Sequence, residues 1–181
     1  MSDETPQFVE GNPLLEDAYA VAYEGHQRRR KRDGDDITHP LAVAELLHER
    51  GFDDPVVAAA LLHDVVEDTT IDLPEISSRF GEEICTLVDE MTENEGIEPY
   101  GERKAEHRSR VARDPRAAAV YAADKLARTR QLTAEGTTPE PERFLHYLQT
   151  LRTLRETNPG LPFLPELEQE LDEIVRDQAA H

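Results

Sequence analysis

The chain has 181 residues, a formal net charge of -19 and one cysteine, a length that suits a single domain around one hydrophobic core. The negative field disfavours nucleic acid and anionic membrane as partners, and the longest apolar run, Val56–Leu62, is far too short to span a bilayer. A lone thiol cannot form an internal disulfide, and Met1–Asn12 lacks the basic and apolar regions of a secretory leader, so a reducing cytoplasm is expected. Apolar spacing then predicts helices nearly throughout. Leu14-Leu15, Tyr19 and Val21-Ala22 begin a first helix that runs into the basic stretch Arg28–Arg32, and Asp33-Gly34-Asp35-Asp36 signals a turn. Thr38 is the expected N-cap of the second helix, with Pro40 in its first turn and Gly51 as its stop. Asp54-Pro55 opens a third, predicted to run unbroken from Val56 to about Asp68. Asp72-Leu73-Pro74-Glu75 starts a short helix ending near Gly81, Glu82–Met91 forms another, and Thr92–Pro99 reads as a loop. Tyr100–Ala112 and Pro115–Thr133 follow, then the loop Gly136–Pro141. Glu142–Glu156 and Glu166–Gln178 close the chain around the Pro-Gly-rich Asn158–Pro165. No segment alternates with period two. The expectation is an all-α bundle of eight or nine helices forming one domain over residues 1–181.

The densest chemistry lies in Leu61-Leu62-His63-Asp64-Val65-Val66-Glu67-Asp68-Thr69. On an unbroken helix His63 and Glu67, and Asp64 and Asp68, are four apart and share one stripe. Ionisable groups in the most apolar part of a chain are costly unless compensated. A divalent cation is the simplest compensation, because it neutralises carboxylates and accepts imidazole nitrogen. Two ligands are too few for a tight site. His39, at a rigid helix start before Pro40, and Asp124, inside the Ala-rich Ala122-Ala123-Asp124-Lys125-Leu126, are the candidate partners. Two histidines with two aspartates suit manganese, iron or zinc better than calcium or magnesium, and leave positions open for water.

Five blocks occur in one order: His39-Pro40-Leu41-Ala42-Val43-Ala44, Ala58 to Thr69, Phe80-Gly81-Glu82-Glu83-Ile84, Arg103-Lys104, and Ala122 to Leu126. Together they resemble the HD-domain alarmone hydrolases, the hydrolase half of the RelA/SpoT-type stringent-response enzymes and their small single-domain relatives. The resemblance spans roughly residues 14 to 133, with the helices at about 140–178 beyond it. It implies an all-α HD fold and a manganese ion held by His39, His63, Asp64 and Asp124. It also implies that Glu67 and Asp68 position or deprotonate water, and that pyrophosphate is removed from the 3′ position of guanosine tetra- or pentaphosphate. A carboxylate that is not itself a ligand can accept that proton.

An anionic substrate needs a local basic pocket on so acidic a chain. Arg28, Arg29 and Arg32, upstream of His39, are candidates, with Arg103, Lys104, Lys125 and Arg128; the only lysines are Lys31, Lys104 and Lys125. Guanidinium pairs with phosphate bidentately and stacks on bases. Two features depart from the family pattern. Gly34-Asp35-Asp36-Ile37-Thr38-His39-Pro40 lacks the usual Pro-Tyr, and Arg128 stands where Asn usually meets the nucleotide. Both bear on base and ribose recognition, so another phosphorylated nucleotide or cofactor remains a competing substrate, and a silent nucleotide-binding module a third reading. Cys85, within Glu83-Ile84-Cys85-Thr86-Leu87-Val88, reads as a buried apolar residue whose acidic surroundings raise a thiol pKa. His26, His48, His107, His146 and His181 match no ligand position, although His26 and His107 could touch phosphate. Leu145, Leu148, Leu151 and Leu154 form a stripe suited to core packing or a homodimer face.

Overall fold

A computed structural model describes the backbone of residues 5–29 and 37–179 and the side chains of residues 5–27 and 37–176. Among them are ten helical segments and no strand, the all-α architecture expected from the sequence. They fall into two compact units, Met1–Thr92 and Glu93–His181. No Gly/Ser- or Pro-rich linker marks that division. Among the described residues no helix is long and apolar enough to cross a membrane.

The first unit contains α1 (Pro13–Arg29), α2 (Thr38–Glu49), α3 (Asp54–Leu62), α4 (Val65–Asp68), α5 (Leu73–Phe80) and α6 (Glu82–Met91). Its axis is α3. Every residue from Val56 to Leu62 is buried, and α1, α2 and α6 pack around it. A helix apolar on all sides has no solvent face to offer, so neighbours must surround it. Asn12 caps α1 with its Oδ1 toward the amides of Leu14 and Leu15, while its Nδ2 donates to Asp54 Oδ2 at 2.8 Å. One side chain thus joins the starts of α1 and α3. Gly51, just beyond α2, takes φ +74°, a left-handed conformation that glycine adopts without strain.

Three local expectations are corrected in this unit. Helix α2 opens at Thr38 itself: the Ile37 carbonyl accepts from Leu41 at 3.0 Å, and Thr38 makes no cap. The helix read as continuous to Asp68 is interrupted at His63-Asp64. His63 Nδ1 lies 2.7 Å from the Ala60 carbonyl, the acceptor that the Asp64 amide would use in an unbroken helix, and Asp64 opens to ψ -6°. The four ionisable residues are therefore divided between the end of α3 and α4, although the Asp68 amide still donates to the Asp64 carbonyl at 2.9 Å. Cys85 is half-buried rather than buried, because its place on α6 turns Sγ toward the Leu73 carbonyl at 3.4 Å, at the start of α5.

The second unit contains α7 (Tyr100–Val111), α8 (Pro115–Ala134), α9 (Pro141–Thr157) and α10 (Leu164–Ala179). Asp114 caps α8, accepting from the Arg116 amide at 2.7 Å, with Pro115 pre-set for the first turn. The alanines of α8 let its neighbours approach closely, and Phe163, Leu167, Leu171 and Ile174 complete this core. Asn158 Nδ2 donates to the Ala112 carbonyl at 3.0 Å, fixing the end of α9 beside the end of α7. Of the leucine stripe in α9, Leu151 and Leu154 are core, whereas Leu145 and Leu148 are 54% and 40% exposed.

Candidate metal centre

In the first unit α2 delivers His39 and the end of α3 delivers His63, both buried, at 7% and 3% exposure. Their rings meet edge to face with centroids 5.6 Å apart. A carbonyl oxygen only accepts, so the 2.7 Å contact with Ala60 places the His63 proton on Nδ1. In the neutral ring that leaves a lone pair on Nε2, which has no hydrogen-bond partner although it lies 3.1 Å from Asp64 Oδ1. Two electron-rich atoms facing one another in a buried place repel unless a cation sits with them. Imidazole nitrogen beside carboxylate oxygen is the donor chemistry of borderline divalent metals, and the carbonyl behind Nδ1 is the usual support for a ligating histidine. His63 and Asp64 therefore fit such an ion, and the His39 ring beside His63 adds a donor of the same type.

Beyond the break, the single turn α4 presents Glu67, exposed, and Asp68, half-buried. Thr69 closes this turn by donating to the Val65 carbonyl at 2.7 Å and accepting from Ile71 at 3.1 Å. Gly25 of α1 lies against it: a Cβ there would stand 3.0 Å from Thr69 Cγ2. Arg28 and Arg29 end α1, with their side chains outside the described residues, and Arg32 lies outside them altogether.

In the second unit Asp124 is buried in α8 and its Oδ2 receives Lys125 Nζ at 2.5 Å. Burial works against the charge on Lys125, but Asp124 outweighs it and holds the ammonium well above the usual lysine range. Arg103 and Lys104 both turn to Glu93, Arg103 through Nε at 3.0 Å and Lys104 through a shorter contact. Arg103 also donates to the Ile97 and Glu98 carbonyls, fixing the loop before α7. Burial raises the Glu93 carboxyl, yet the bonds from Lys104 and Arg103 bring it below its ordinary value. Lys104 is lowered, first by burial and then by the Lys125 charge. Arg128 donates to Gln131 at 2.9 Å.

The remaining histidines separate clearly. His48 is exposed and stacks on Phe8, His26 is buried in α1, and His181 lies outside the described residues. His107 and His146 are buried in the second unit among aromatic rings, His107 at 5.0 Å from the Tyr121 centroid. Sequence reasoning assigned His146 no role. Its partners lie 38 and 25 residues away, and no local pattern announces them.

An all-helical frame with two neighbouring buried histidines and an aspartate at a helix break suits a class of helical proteins that can hold a metal ion. The family described as HD domain matches residues 18–150. The guanosine-3′,5′-bis(diphosphate) 3′-pyrophosphohydrolase MESH1 of Xenopus tropicalis is 36% identical over 91% of this chain and 94% of its own length. Its human counterpart is 37% identical over 82% and 88%. A probable GTP pyrophosphokinase of Mycobacterium leprae is 38% identical over 80% of this chain, which spans only 18% of that protein. Among solved structures, a metazoan ortholog of SpoT that hydrolyses ppGpp aligns with a TM-score of 0.69 at 30% identity over 98% of both chains. The chain belongs to the HD-domain family, in its (p)ppGpp 3′-pyrophosphohydrolase branch.

Proposed function

We propose that this protein is a divalent-metal-dependent hydrolase that releases pyrophosphate from the 3′ position of guanosine tetra- or pentaphosphate. The observation that carries the metal reading is the buried lone pair of His63 Nε2 facing Asp64 Oδ1 at 3.1 Å. The substrate reading is supported by the named activity of the relatives that match over nearly their whole length. In this reading His39, His63, Asp64 and Asp124 hold manganese, with iron or zinc as alternatives in the same donor set. When bound, the ion supplies positive charge for the attacked phosphoryl group and acidifies water. Glu67 and Asp68, on a turn of their own beyond the ligand residues, orient the attacking water and accept its proton. Arg28, Arg29, Arg32, Arg103, Lys104, Lys125 and Arg128 supply charge for the substrate phosphates. The HD match runs from residue 18 to 150 and so through both units, which supports reading the chain as one domain. The net charge of -19 supports a small nucleotide, not a nucleic acid, as partner, and the single cysteine supports a reducing cytoplasm.

The test is a manganese-supplemented assay on guanosine tetraphosphate with product analysis. GDP and pyrophosphate in equal amounts are expected. Manganese bound at one ion per chain without that hydrolysis would move the substrate to another phosphorylated nucleotide or cofactor. Failure to bind any divalent metal would overturn the site itself.

A further inference from the structure

The second unit contains a buried polar chain that no step above uses. Arg108 of α7 places Nη1 2.8 Å from His146 Nδ1 on α9. A guanidinium has only protons to give, so Nδ1 carries the lone pair and the imidazole proton is on Nε2. Nε2 faces the Tyr121 hydroxyl of α8 at 3.3 Å, and there it donates. Tyr121 and Lys125 are four apart on α8, hence stacked on one face. Lys125 Nζ sits over the Tyr121 ring, 4.5 Å from its centroid, while reaching Asp124. His146 and Tyr121 are almost wholly removed from solvent.

Burial, followed by the charges of Lys125, Lys104 and Arg108, pushes the His146 pKa down to about 2, and burial pushes Tyr121 up to about 12. Both stay neutral, so the direction of donation just described does not change with working pH. The ring of Tyr121 is held at its hydroxyl end by His146 and loaded on its face by an ammonium. A cation over a desolvated tyrosine face is attracted by the ring quadrupole, but only while the ring keeps its orientation.

We propose that His146, oriented by Arg108, is a positioning residue: it fixes the Tyr121 ring as the platform that holds the Lys125 ammonium in place for the substrate's phosphate. This rests on the phosphohydrolase reading for what Lys125 meets, but not for the platform itself. His146 touches neither substrate nor metal ligand, and acts through Tyr121.

Two substitutions separate positioning from packing. His146→Gln puts an amide nitrogen near the place of Nε2 and keeps a donor for Tyr121. His146→Asn keeps an acceptor for Arg108 but is too short to reach Tyr121. In the full-length protein, nitrogen NMR is expected to show His146 protonated on Nε2. The Lys125 side-chain protons are expected to show an upfield ring-current shift that survives in His146→Gln and collapses in His146→Asn. With guanosine tetraphosphate, His146→Asn is expected to raise KM about 3- to 10-fold with little change in kcat, and His146→Gln to restore most of it. A His146 proton on Nδ1, or a Lys125 shift and KM unchanged in a folded His146→Asn protein, would overturn the proposal. Should the unaltered protein fail to hydrolyse guanosine tetraphosphate, the substrate reading falls, while the NMR measurements still decide the platform.

Discussion

The two units treat buried charge in opposite ways. In the second, each carboxylate at the centre of the polar cluster has a cation at hand: Lys125 on Asp124, and Lys104 with Arg103 on Glu93. In the first, His63 Nε2 and Asp64 Oδ1 face each other across 3.1 Å without a hydrogen bond. Around Glu93 the charges close among the unit's own side chains, whereas Asp124, though paired with Lys125, is also one of the proposed ligands. The cluster in the first unit has donors left over, which is why we propose an ion there. A buried constellation is thus read as structural or ligand-seeking by whether its charges and lone pairs close among themselves, not by how many ionisable residues it contains.

The largest expected effect comes from breaking the open cluster. Asp64→Ala is expected to lose bound manganese and, with it, activity by about a thousandfold or more, checked by metal content after gel filtration. Glu67→Gln combined with Asp68→Asn sharpens the contrast, since neither is assigned as a ligand. That double variant should keep one metal per chain yet lose turnover by roughly 10²- to 10⁴-fold. Equal metal content and equal activity in both variants would refute the division of roles.

Breaking the closed cluster acts on stability first. Glu93→Gln leaves Lys104 and Arg103 half-buried with a weaker partner, and about 2 kcal/mol of unfolding free energy should be lost, measured by denaturant titration. Acid tests the same unit more gently. The folded pKa of His146 lies far below its unfolded value, so the unfolded chain binds a proton below about pH 6.5 that the folded chain refuses. Its contribution is full above that pH and declines as pH falls, by about 1 kcal/mol per unit. His146→Gln should lack this component, so its loss of stability from pH 6.5 to 5 should be shallower than that of the unaltered protein. The smallest effect is expected from Gly25→Ala. The gain in helix propensity, about 1 kcal/mol, is opposed by the 3.0 Å contact with Thr69, whose hydroxyl bonds prevent it from turning away. Stability should change by less than about 1 kcal/mol, while displacement of α4 lowers kcat severalfold.

Much of this molecule could be read from its chain. Proline and glycine punctuate the helices so firmly that α6 runs from Glu82 to Met91 as expected, and α7 ends one residue from its expected end. His63 and Asp64 stood out as candidate ligands because an apolar run makes charge conspicuous. The break between them did not, since periodicity records which residues are apolar and not whether a side chain takes a neighbour's carbonyl. The Arg108–His146–Tyr121 chain was invisible for another reason. Each member lies on a different helix, and a histidine among leucines looks like any other core residue until the helices are packed.

Helix α3 is buried from Val56 to Leu62, and the donors His63 and Asp64 follow it at once. Backbone amides in so enclosed a rod exchange with solvent only when the surrounding unit opens as a whole. These two proposed ligands therefore have no loose segment directly before them through which to fail early. Heat inactivation and cooperative melting of the first unit should coincide, with no window in which the protein is folded but has lost its catalytic centre.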